Sequence, residues 1–443
     1  MYRAPVFLRQ LEPRTARTTA EVIKFALWPI AVMTVLNRVF IKAVNGYITD
    51  DFRPVYQASL DFLNRRPVYW ANFDSVDPHY LYYPSGTLLI APVAWVHDYE
   101  KARWLFILVN VIAIILAWYL LLRLFRFTVS SVVAPVLLFA MFLSETVTNT
   151  LVFTNVNGCI LAAELIFLHL LLKRRDLWAG AALGLSLAVK PTLAPLLLVA
   201  LVRGQWKVFI TAIGVPVALM AIAWPLSKDP EKFFSHTAPY LFETRDYFNS
   251  AIAGNGEYYG LPPWLIWGMR LGMGVLVAIS LWLLYRYYRE DELFFVCTSS
   301  GVLLTASFLL PSLGQMYYSM MLFPFLMTVV LRNSVLRNWP AWLAVFGFMS
   351  YDKWLSDRPG WQHWGRDVEY LRITFGWGLL LLVVFCVLGE RYLSARREGR
   401  LQFGIDPTWF KPVPATAPAA PTAEKPRSAN GSATVVAKPI SVE

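Results

Sequence analysis

The sequence predicts an all-α, polytopic membrane protein, and three observations lead to that prediction. Apolar residues make up 57% of the 443-residue chain and charged residues only 16%, too few charges to cover the surface of a soluble protein of this length. The apolar residues gather into runs of roughly 18–23, long enough to cross a hydrocarbon core of about 30 Å as a helix. Basic residues cluster between the runs, as they do at the cytoplasmic ends of membrane helices.

The apolar runs predict about twelve membrane helices. Single runs lie at about 22–42, 103–125, 129–148, 151–172, 206–226, 263–285, 293–312, 316–335, 338–354 and 371–392. A further apolar region, 177–202, has basic residues on both flanks, so a single crossing would place one basic flank outside. Lys190-Pro191 interrupts it, and proline breaks helices because it lacks a backbone donor. We therefore expect a helical hairpin, spanning or re-entrant, with both chain termini cytoplasmic.

Composition divides the chain into three parts. Residues 1–21 form a basic cytoplasmic leader, and no small-residue cleavage site follows the first apolar run, so that run is a retained helix. Residues 22–400 form the transmembrane domain, with long outer loops at 43–102, 227–262 and 352–370. Residues 401–443 are rich in Pro and Ala without apolar periodicity, which predicts a disordered cytoplasmic tail.

Several function classes are disfavoured. The net charge of +11 comes from clusters at helix ends, so it indicates membrane topology and no nucleic-acid partner. The three cysteines and five histidines are scattered, and none has metal-ligand spacing. No nucleotide-binding loop, dinucleotide fingerprint, nucleophile elbow or zinc motif is present. We therefore expect no metal and no cofactor, and no nucleotide-driven pump.

Two adjacent carboxylates, Asp50 and Asp51, lie where the chain leaves the first apolar run. A carboxylate at the boundary of water and lipid can accept a hydroxyl proton while that oxygen attacks an activated sugar carbon. Either carboxylate could instead cap the short interfacial helix that Pro54 opens. Aromatic and proline residues around Tyr83 predict further interfacial helices in the same loop.

Lys190 lies about midway through the apolar hairpin. An ionisable residue inside a membrane usually faces a cavity or a partner, and a lysine can bind phosphate as a point charge. Alternatively, its side chain reaches the interface from a shorter hairpin. Asn155 and Asn157, at the outer end of two helices, could bind sugar hydroxyls or simply join the helices.

Arg245 lies beside Tyr247 and Asn249 in the second outer loop. An Arg fork with aromatic and amide neighbours suits an anionic, hydroxylated substrate, although the same residues could merely pack the loop. The motif Gln315-Met316-Tyr317-Tyr318 opens another helix from the outer side. It could line the same cavity or belong to the interfacial aromatic belt.

Two sets of motifs resemble a known family. The first outer loop resembles that of GT-C glycosyltransferases that use polyprenyl-phosphate sugars. The matching residues are Asp51, Pro54, Val55, Tyr56, Tyr69, Tyr83-Pro84 and Pro92. Residues 45–52, 317–324 and 337–342 resemble the arabinan-branching arabinofuranosyltransferases of mycobacterial cell walls within that class. The likeness runs from about Ile23 to Trp409.

The resemblance implies a substrate pair and a mechanism. The donor would be decaprenyl-phosphoryl arabinofuranose, and the acceptor α-(1→5)-linked arabinan in arabinogalactan and lipoarabinomannan. Transfer would invert the anomeric carbon, without metal, on the outer face of the plasma membrane. Asp51 matches the expected general base, and Asp50 is an added acid beside it. Related mannosyltransferases have a histidine at the site matching Gln315, which leaves the phosphate to Lys190 or Arg245; Tyr83 joins the substrate-binding set.

Two alternatives remain open at this stage. A polyprenyl-phosphate-mannose-dependent mannosyltransferase would use the same fold, base and lipid carrier, and only the sugar consumed would distinguish it. A transporter of lipid-linked saccharides would place polar residues across the bilayer midplane and show an internal repeat. No inverted repeat is visible, and the polar residues gather at one face. Acceptor length and protein partners are not predicted.

Overall fold

The computed structural model describes residues 19–46, 51–75, 77–351 and 367–399. Within these ranges the chain is helical and forms no β-strand, apart from one isolated bridge between Pro67 and Lys228. Predictions for the leader up to residue 18, for Asp50, for most of the third outer loop and for the tail lie outside the described residues. The helices are α1 Thr19–Leu36, α2 Phe52–Leu63, α3 Pro84–Ile90, α4 Tyr99–Leu124, α5 Val133–Leu143, α6 Glu145–Val152, α7 Asn157–Leu172, α8 Asp176–Val189, α9 Leu196–Val202, α10 Trp206–Leu226, α11 Ala238–Phe242, α12 Ile252–Tyr258, α13 Pro263–Tyr288, α14 Glu292–Leu309, α15 Phe323–Met327, α16 Trp339–Met349 and α17 Arg372–Arg397.

Helix length and apolarity show a multi-pass membrane protein. Six helices of the described residues are long and apolar enough to cross a bilayer, and a seventh span results if α5 and α6, bent by 57°, are counted as one. Shorter apolar helices lie at Asn157–Leu172, Asp176–Val189, Pro191–Val202, Met316–Val330 and Trp339–Met349. Helix length therefore does not establish the predicted number of about twelve membrane helices. Helix α14 is central, since 78% of its most apolar window is buried.

The region predicted as a hairpin consists of two helices, α8 and α9, separated at Lys190. Lys190 is extended, with φ −149° and ψ 126°, and a 3₁₀ turn, Pro191–Leu193, follows it. The chain then returns to its starting end, where Gln205 Nε2 donates to Asp176 Oδ1 at 2.7 Å. The break and the return agree with the hairpin expected from the proline and the two basic flanks.

Basic residues from three chain segments lie at the end of the bundle where the hairpin begins and ends, called here the basic end. Arg174 and Arg203 both lie 3.3 Å from Glu292 Oε1 at the start of α14. Arg391 of α17 donates to the backbone oxygens of Asn333 and Ser334, each at 2.8 Å. These clusters, separate in sequence, share one end as a common cytoplasmic side requires.

Helix α8 packs closely on α10 because two glycines face it. A Cβ added at Gly180 would lie 2.6 Å from Val208 O and 2.7 Å from Thr211 Cβ. A Cβ at Gly184 would lie 2.8 Å from Val215 Cβ. The contacts advance in the same direction along both helices, so α8 and α10 run parallel and α9 makes the return between them.

Gly180→Ala is expected to destabilise the protein by about 1–3 kcal/mol, the usual cost of overpacking a close helix contact. The measurement is the thermal unfolding midpoint of purified protein in detergent. Gly214→Ala is the matched control on α10, because no atom lies within 4 Å of its added Cβ; it should unfold at or above the wild-type midpoint. Equal midpoints for both variants would contradict this packing.

The first outer loop packs on the second through aromatic rings. Tyr69 meets Phe233 edge-on, with ring centroids 5.4 Å apart, and Phe73 stacks on Tyr240 at 4.1 Å. The two loops therefore form one layer over the end of the bundle opposite the basic end, where Arg65 also donates to Pro225 O at the end of α10. The short helices predicted for the first loop are α2 and α3; α2 buries Phe52 and Tyr56, and the Tyr56 hydroxyl donates to Val96 O at 2.9 Å.

Candidate active site

Asp51 is fixed at the start of α2 by its backbone. Its N–H donates to Phe153 O at 2.9 Å, which joins the first outer loop to the turn after α6. Phe52, the first residue of α2, is fully buried and anchors the helix. The Asp51 side chain is half-buried and makes no capping hydrogen bond to α2. The capping alternative therefore does not describe Asp51, and its carboxylate is directed to other contacts.

The carboxylate of Asp51 acts electrostatically on two tyrosines from distant segments. Burial raises the pKa of the Tyr82 hydroxyl well above its ordinary value, and the negative charge of Asp51 adds to that rise. The charges of Asp51 and Arg245 both act on the Tyr317 hydroxyl. The Tyr317 ring also contacts Phe153, with centroids 6.4 Å apart. Asp51, Tyr82 and Tyr317 therefore border one site.

Lys190 enters the same site from the break in the hairpin. Its Nζ lies 4.4 Å from the centroid of the Tyr318 ring and 5.5 Å from that of Tyr317. Nζ also donates to Asn157 Oδ1 at 3.4 Å. The ammonium is thus placed among aromatic rings and an amide, an arrangement that stabilises a cation, and does not extend away from them toward an interface.

The turn before α7 supplies two amides. Thr154 adopts a left-handed backbone conformation, with φ 55°, and turns the chain so that Asn155 and Asn157 follow at the start of α7. Asn155 is 4% exposed and Asn157 fully buried. Asn155 Oδ1 accepts the Asn157 N–H at 3.2 Å. The two amides therefore form one rigid unit beside Lys190.

Arg245 approaches from the second outer loop. Its Nη1 donates to the Tyr240 hydroxyl at 3.1 Å, and the guanidinium lies 4.9 Å from the Tyr240 ring centroid. Burial, followed by the hydrogen bond between the Tyr240 and Tyr247 hydroxyls, raises the pKa of Tyr240 to about 12, against the lowering effect of Arg245. Tyr240 therefore remains a neutral phenol that orients Arg245 at physiological pH.

Asn249 has a different environment from the other amides. Its Nδ2 donates to Arg245 O at 2.8 Å and Ser312 O at 2.7 Å, and its Oδ1 accepts from the N–H groups of Ala251 and Gly314 at 2.9 and 3.0 Å. The side chain is fully buried. It joins the second outer loop to the segment after α14, so a sugar hydroxyl would have to displace one of these bonds.

Two other predicted residues lie at the margin of the site. Gln315 is extended and precedes the 3₁₀ segment Met316–Leu322 that presents Tyr317 and Tyr318. Tyr83 packs on Phe233, with ring centroids 4.8 Å apart, and lines a neighbouring cavity. The structure thus brings Asp51, Lys190, Asn155, Asn157, Arg245, Tyr317 and Tyr318 together, and leaves Asn249, Gln315 and Tyr83 around them.

An apolar cavity of about 460 Å³ adjoins the site. Its walls include residues of the loop before α3, of the hairpin and of α10, among them Tyr83, Pro191, Ala194, Pro216, Ala221 and Trp224. Tyr83 and Pro191 directly follow Tyr82 and Lys190 in the chain, so the cavity borders the site at two points. Val217 and Trp224 are 62% and 40% exposed, which places the open side of the cavity on the bundle surface.

The sequence predicts a groove between helices for the prenyl chain, but it does not single out Tyr82 or the helices that form the walls of this cavity. Tyr82 is one of three tyrosines before Pro84, and the motif alone does not show which of them faces Asp51. Helix α3 approaches the hairpin closely at Gly86, whose added Cβ would lie only 3.1 Å from Val189 Cα. The Ser85 hydroxyl also donates to Ala188 O at 2.7 Å, and these contacts fix α3 against the hairpin. Among the described residues, no group of three or more His, Cys, Asp or Glu is arranged to bind a metal ion.

Comparisons with known proteins identify close relatives. The profile of glycosyltransferase family 87 matches residues 80–312, more than half of the chain. The α-(1→3)-arabinofuranosyltransferase of Mycolicibacterium smegmatis is 57% identical over 408 residues, covering 91% of this chain and 94% of that protein. That of Mycobacterium tuberculosis is 55% identical over 410 residues, with the same coverage. That of Corynebacterium glutamicum is 42% identical over 359 residues, covering 81% of this chain and 85% of that protein. No solved structure matches the chain.

Proposed function

The chain belongs to the α-(1→3)-arabinofuranosyltransferases of glycosyltransferase family 87, and from this we propose that it transfers arabinofuranose from decaprenyl-phosphoryl arabinofuranose to the 3-hydroxyl of α-(1→5)-linked arabinan. The product would be a branch point in arabinogalactan and lipoarabinomannan. One observation supports the proposal most: the negative charge of Asp51 acts on the Tyr317 hydroxyl, and the Nζ of a cation, Lys190, lies 5.5 Å from the centroid of the same ring.

This arrangement suits an inverting displacement at the anomeric carbon. The acceptor hydroxyl gives its proton to the Asp51 carboxylate, and its oxygen forms the new bond to C1. The C1–O bond to phosphate breaks, and its electron pair stays on the phosphate oxygen, so a phosphodiester monoanion leaves as a phosphomonoester dianion. The other products of the step are the neutral carboxylic acid of Asp51 and the branched arabinan. The protein supplies proximity, one base and positive charge.

Positive charge on the leaving phosphate would come from Lys190, with Arg245 second. Lys190 is the nearer cation to the tyrosine pair, since its Nζ lies 4.4 Å from the Tyr318 ring. Arg245 is held in the second outer loop, where its Nη1 donates to the Tyr240 hydroxyl at 3.1 Å. Asp50, outside the described residues, is a second candidate for the base.

The remaining predicted residues would surround the sugars. Tyr317 and Tyr318 offer ring faces and hydroxyls beside the Lys190 ammonium, and aromatic faces suit sugar rings. Gln315 and Tyr83, at the margin, would meet the acceptor or the donor's first isoprene unit. Asn249 would support the loop under Arg245.

The apolar cavity would hold the beginning of the prenyl chain. Its volume of about 460 Å³ lies within the range of ligand pockets, about 300–1,000 Å³, and its open side would admit a lipid tail from the bilayer. The decaprenyl chain is longer than the cavity, so its far end would extend among the lipids. In this proposal the site lies at the outer leaflet, opposite the basic end, in a GT-C arrangement with about twelve membrane helices and cytoplasmic termini.

Ala221→Trp is expected to raise the KM for the decaprenyl donor roughly 10- to 100-fold, because the indole fills the cavity and each displaced CH₂ loses about 0.8 kcal/mol of burial. Ile222→Trp is the matched control: Ile222 is 53% exposed on the same helix and is not part of the cavity wall. Steady-state transfer in lipid, with a decaprenyl donor and a short-prenyl analogue, gives both KM values. A similar rise for both variants, or for both donors, would place the prenyl chain elsewhere.

The proposed function is tested by transfer with purified protein in lipid, given a short linear α-(1→5) arabinan and one lipid-linked sugar at a time. Decaprenyl-phosphoryl arabinofuranose should give a new 3-linked branch, read by linkage analysis. Transfer only from the mannose-bearing lipid would retain the mechanism and overturn the substrate. Movement of lipid-linked saccharide across the membrane, without transfer from either donor, would establish the transporter alternative.

A further inference from the structure

The orientation of the two amides at the start of α7 follows from their partners. A lysine ammonium only donates hydrogen bonds, so the Asn157 atom that faces Lys190 Nζ at 3.4 Å is the carbonyl oxygen. A backbone N–H likewise only donates, so the Asn155 atom that accepts from the Asn157 N–H at 3.2 Å is also an oxygen. The hydrogen-bond partners therefore assign the oxygen and the nitrogen atom of both amides, which the shape of the amide group alone does not distinguish. Both Nδ2 groups are identified as donors.

Both NH₂ groups are buried and have no hydrogen-bond partner among the residues that the structure describes. Asn155 Nδ2 and Asn157 Nδ2 are inaccessible atoms, in side chains that are 4% and 0% exposed. Buried donors are almost always satisfied, because a buried polar group without a partner is costly. Two such donors lie beside one cation, at the place where the substrate is expected. This indicates a ligand that accepts hydrogen bonds.

The hydrogen-bonding character of this group of residues distinguishes between two parts of the donor. A sugar hydroxyl donates as well as accepts, and an amide that recognises it commonly uses both its oxygen and its nitrogen. Here each amide oxygen already accepts one hydrogen bond, whereas the two NH₂ groups, close to the Lys190 ammonium, have no partner among the described residues. A phosphate only accepts at its unprotonated oxygens and is negatively charged.

We propose that Asn155 and Asn157, with Lys190, bind the phosphate oxygens of the polyprenyl donor, and do not bind sugar hydroxyls as their sequence position suggests. This inference rests on the proposed function of the site and assigns its phosphate contacts. During transfer the phosphate changes from a monoanion to a dianion, and N–H donors beside it stabilise that added charge. The amides therefore act most strongly on the leaving group.

Asn157→Asp tests the assignment with almost no change of shape. The substitution replaces the NH₂ donor by a negatively charged acceptor, which a phosphate repels and a sugar hydroxyl tolerates. The probe is undecaprenyl monophosphate, with neutral undecaprenol as reference, bound to full-length protein in nanodiscs. Asn157→Asp should weaken monophosphate binding by roughly 10- to 100-fold or more, the loss of a hydrogen bond to a charged group, and leave undecaprenol binding unchanged.

Two further variants complete the test. Asn155→Asp should show the same selective loss, and Asn255→Asp is the matched control. Asn255 is equally buried, at 5% exposure, and its Nδ2 donates to Thr374 Oγ1 at 2.6 Å, with no assigned role in the site. Its monophosphate affinity should match wild type. Unchanged undecaprenol binding shows that each variant is folded.

Wild-type affinity for undecaprenyl monophosphate in both Asn155→Asp and Asn157→Asp would overturn the inference. A higher acceptor KM in the same variants would then return the amides to sugar recognition. Because the probes contain no sugar, this result does not depend on arabinose as the donor sugar. Failure of the proposed substrate and failure of the phosphate assignment are therefore separate outcomes.

Discussion

Asp51→Asn is expected to lower kcat by roughly 10²–10⁴-fold, the usual contribution of a positioned general base. The amide has nearly the same shape and leaves the backbone bond from Asp51 to Phe153 intact, so the donor should still bind with an unchanged KM. Asn cannot accept the acceptor's proton, and the loss therefore falls on the chemical step. Steady-state kinetics with decaprenyl-phosphoryl arabinofuranose and a short arabinan measure both constants.

Asp61→Asn is the matched control for Asp51→Asn. Asp61 lies on the same helix, α2, is 5% exposed, and accepts from Gln57 Nε2 at 3.1 Å. Its substitution removes a buried carboxylate outside the site and should leave kcat within about threefold of wild type. Wild-type kcat in Asp51→Asn would show that Asp51 is not the base, and Asp50→Asn would then be expected to produce the loss.

Lys190→Met is expected to lower kcat/KM by roughly 10²–10³-fold, comparable to removing one donor from an oxyanion site. Met retains the length and apolar stem of Lys190 but supplies no charge to the phosphate as it becomes a dianion. The larger part of the loss should fall on kcat, because the added charge develops only in the transition state. The kcat of the variant should also depend more strongly on how well the leaving group carries negative charge, for the same reason.

Lys207→Met controls for the loss of a positive charge as such. Lys207 is exposed at the start of α10, near the basic end and away from the site. Its substitution should leave kcat/KM within about threefold of wild type. Near-wild-type kcat/KM in Lys190→Met, with a large loss in Arg245→Met, would show that Arg245 and not Lys190 contacts the phosphate.

Much of the architecture could be predicted because it depends on local sequence signals. The break at Lys190 follows from Pro191, and the return of the chain follows from basic residues on both flanks of the hairpin. The position of Asp51 at the start of a short helix likewise follows from the apolar run before it and from Pro54. Helix number was harder, because α5 and α6 bend by 57° and several apolar helices have only 10–17 residues.

The interior of the site could be predicted only in part, because tertiary contacts decide it. The bond from Asp51 N–H to Phe153 O joins residues 102 positions apart, and no local motif indicates it. Asn249 and Asn157 look equivalent in sequence, as amides in loops at the same side of the membrane. The structure uses every hydrogen-bonding position of Asn249 internally, whereas the NH₂ group of Asn157, close to Lys190, has no partner in the described part of the chain.

The account is tested most directly by a structure of the Asp51→Asn protein with its intact lipid donor. We expect a phosphate oxygen within hydrogen-bonding distance, about 3 Å, of Lys190 Nζ and Asn157 Nδ2. The pentose should lie between Tyr317, Tyr318 and residue 51, with the first isoprene units in the cavity beside Pro191 and Ala221. A phosphate bound away from Lys190, with residue 51 remote from the anomeric carbon, would contradict the proposed site.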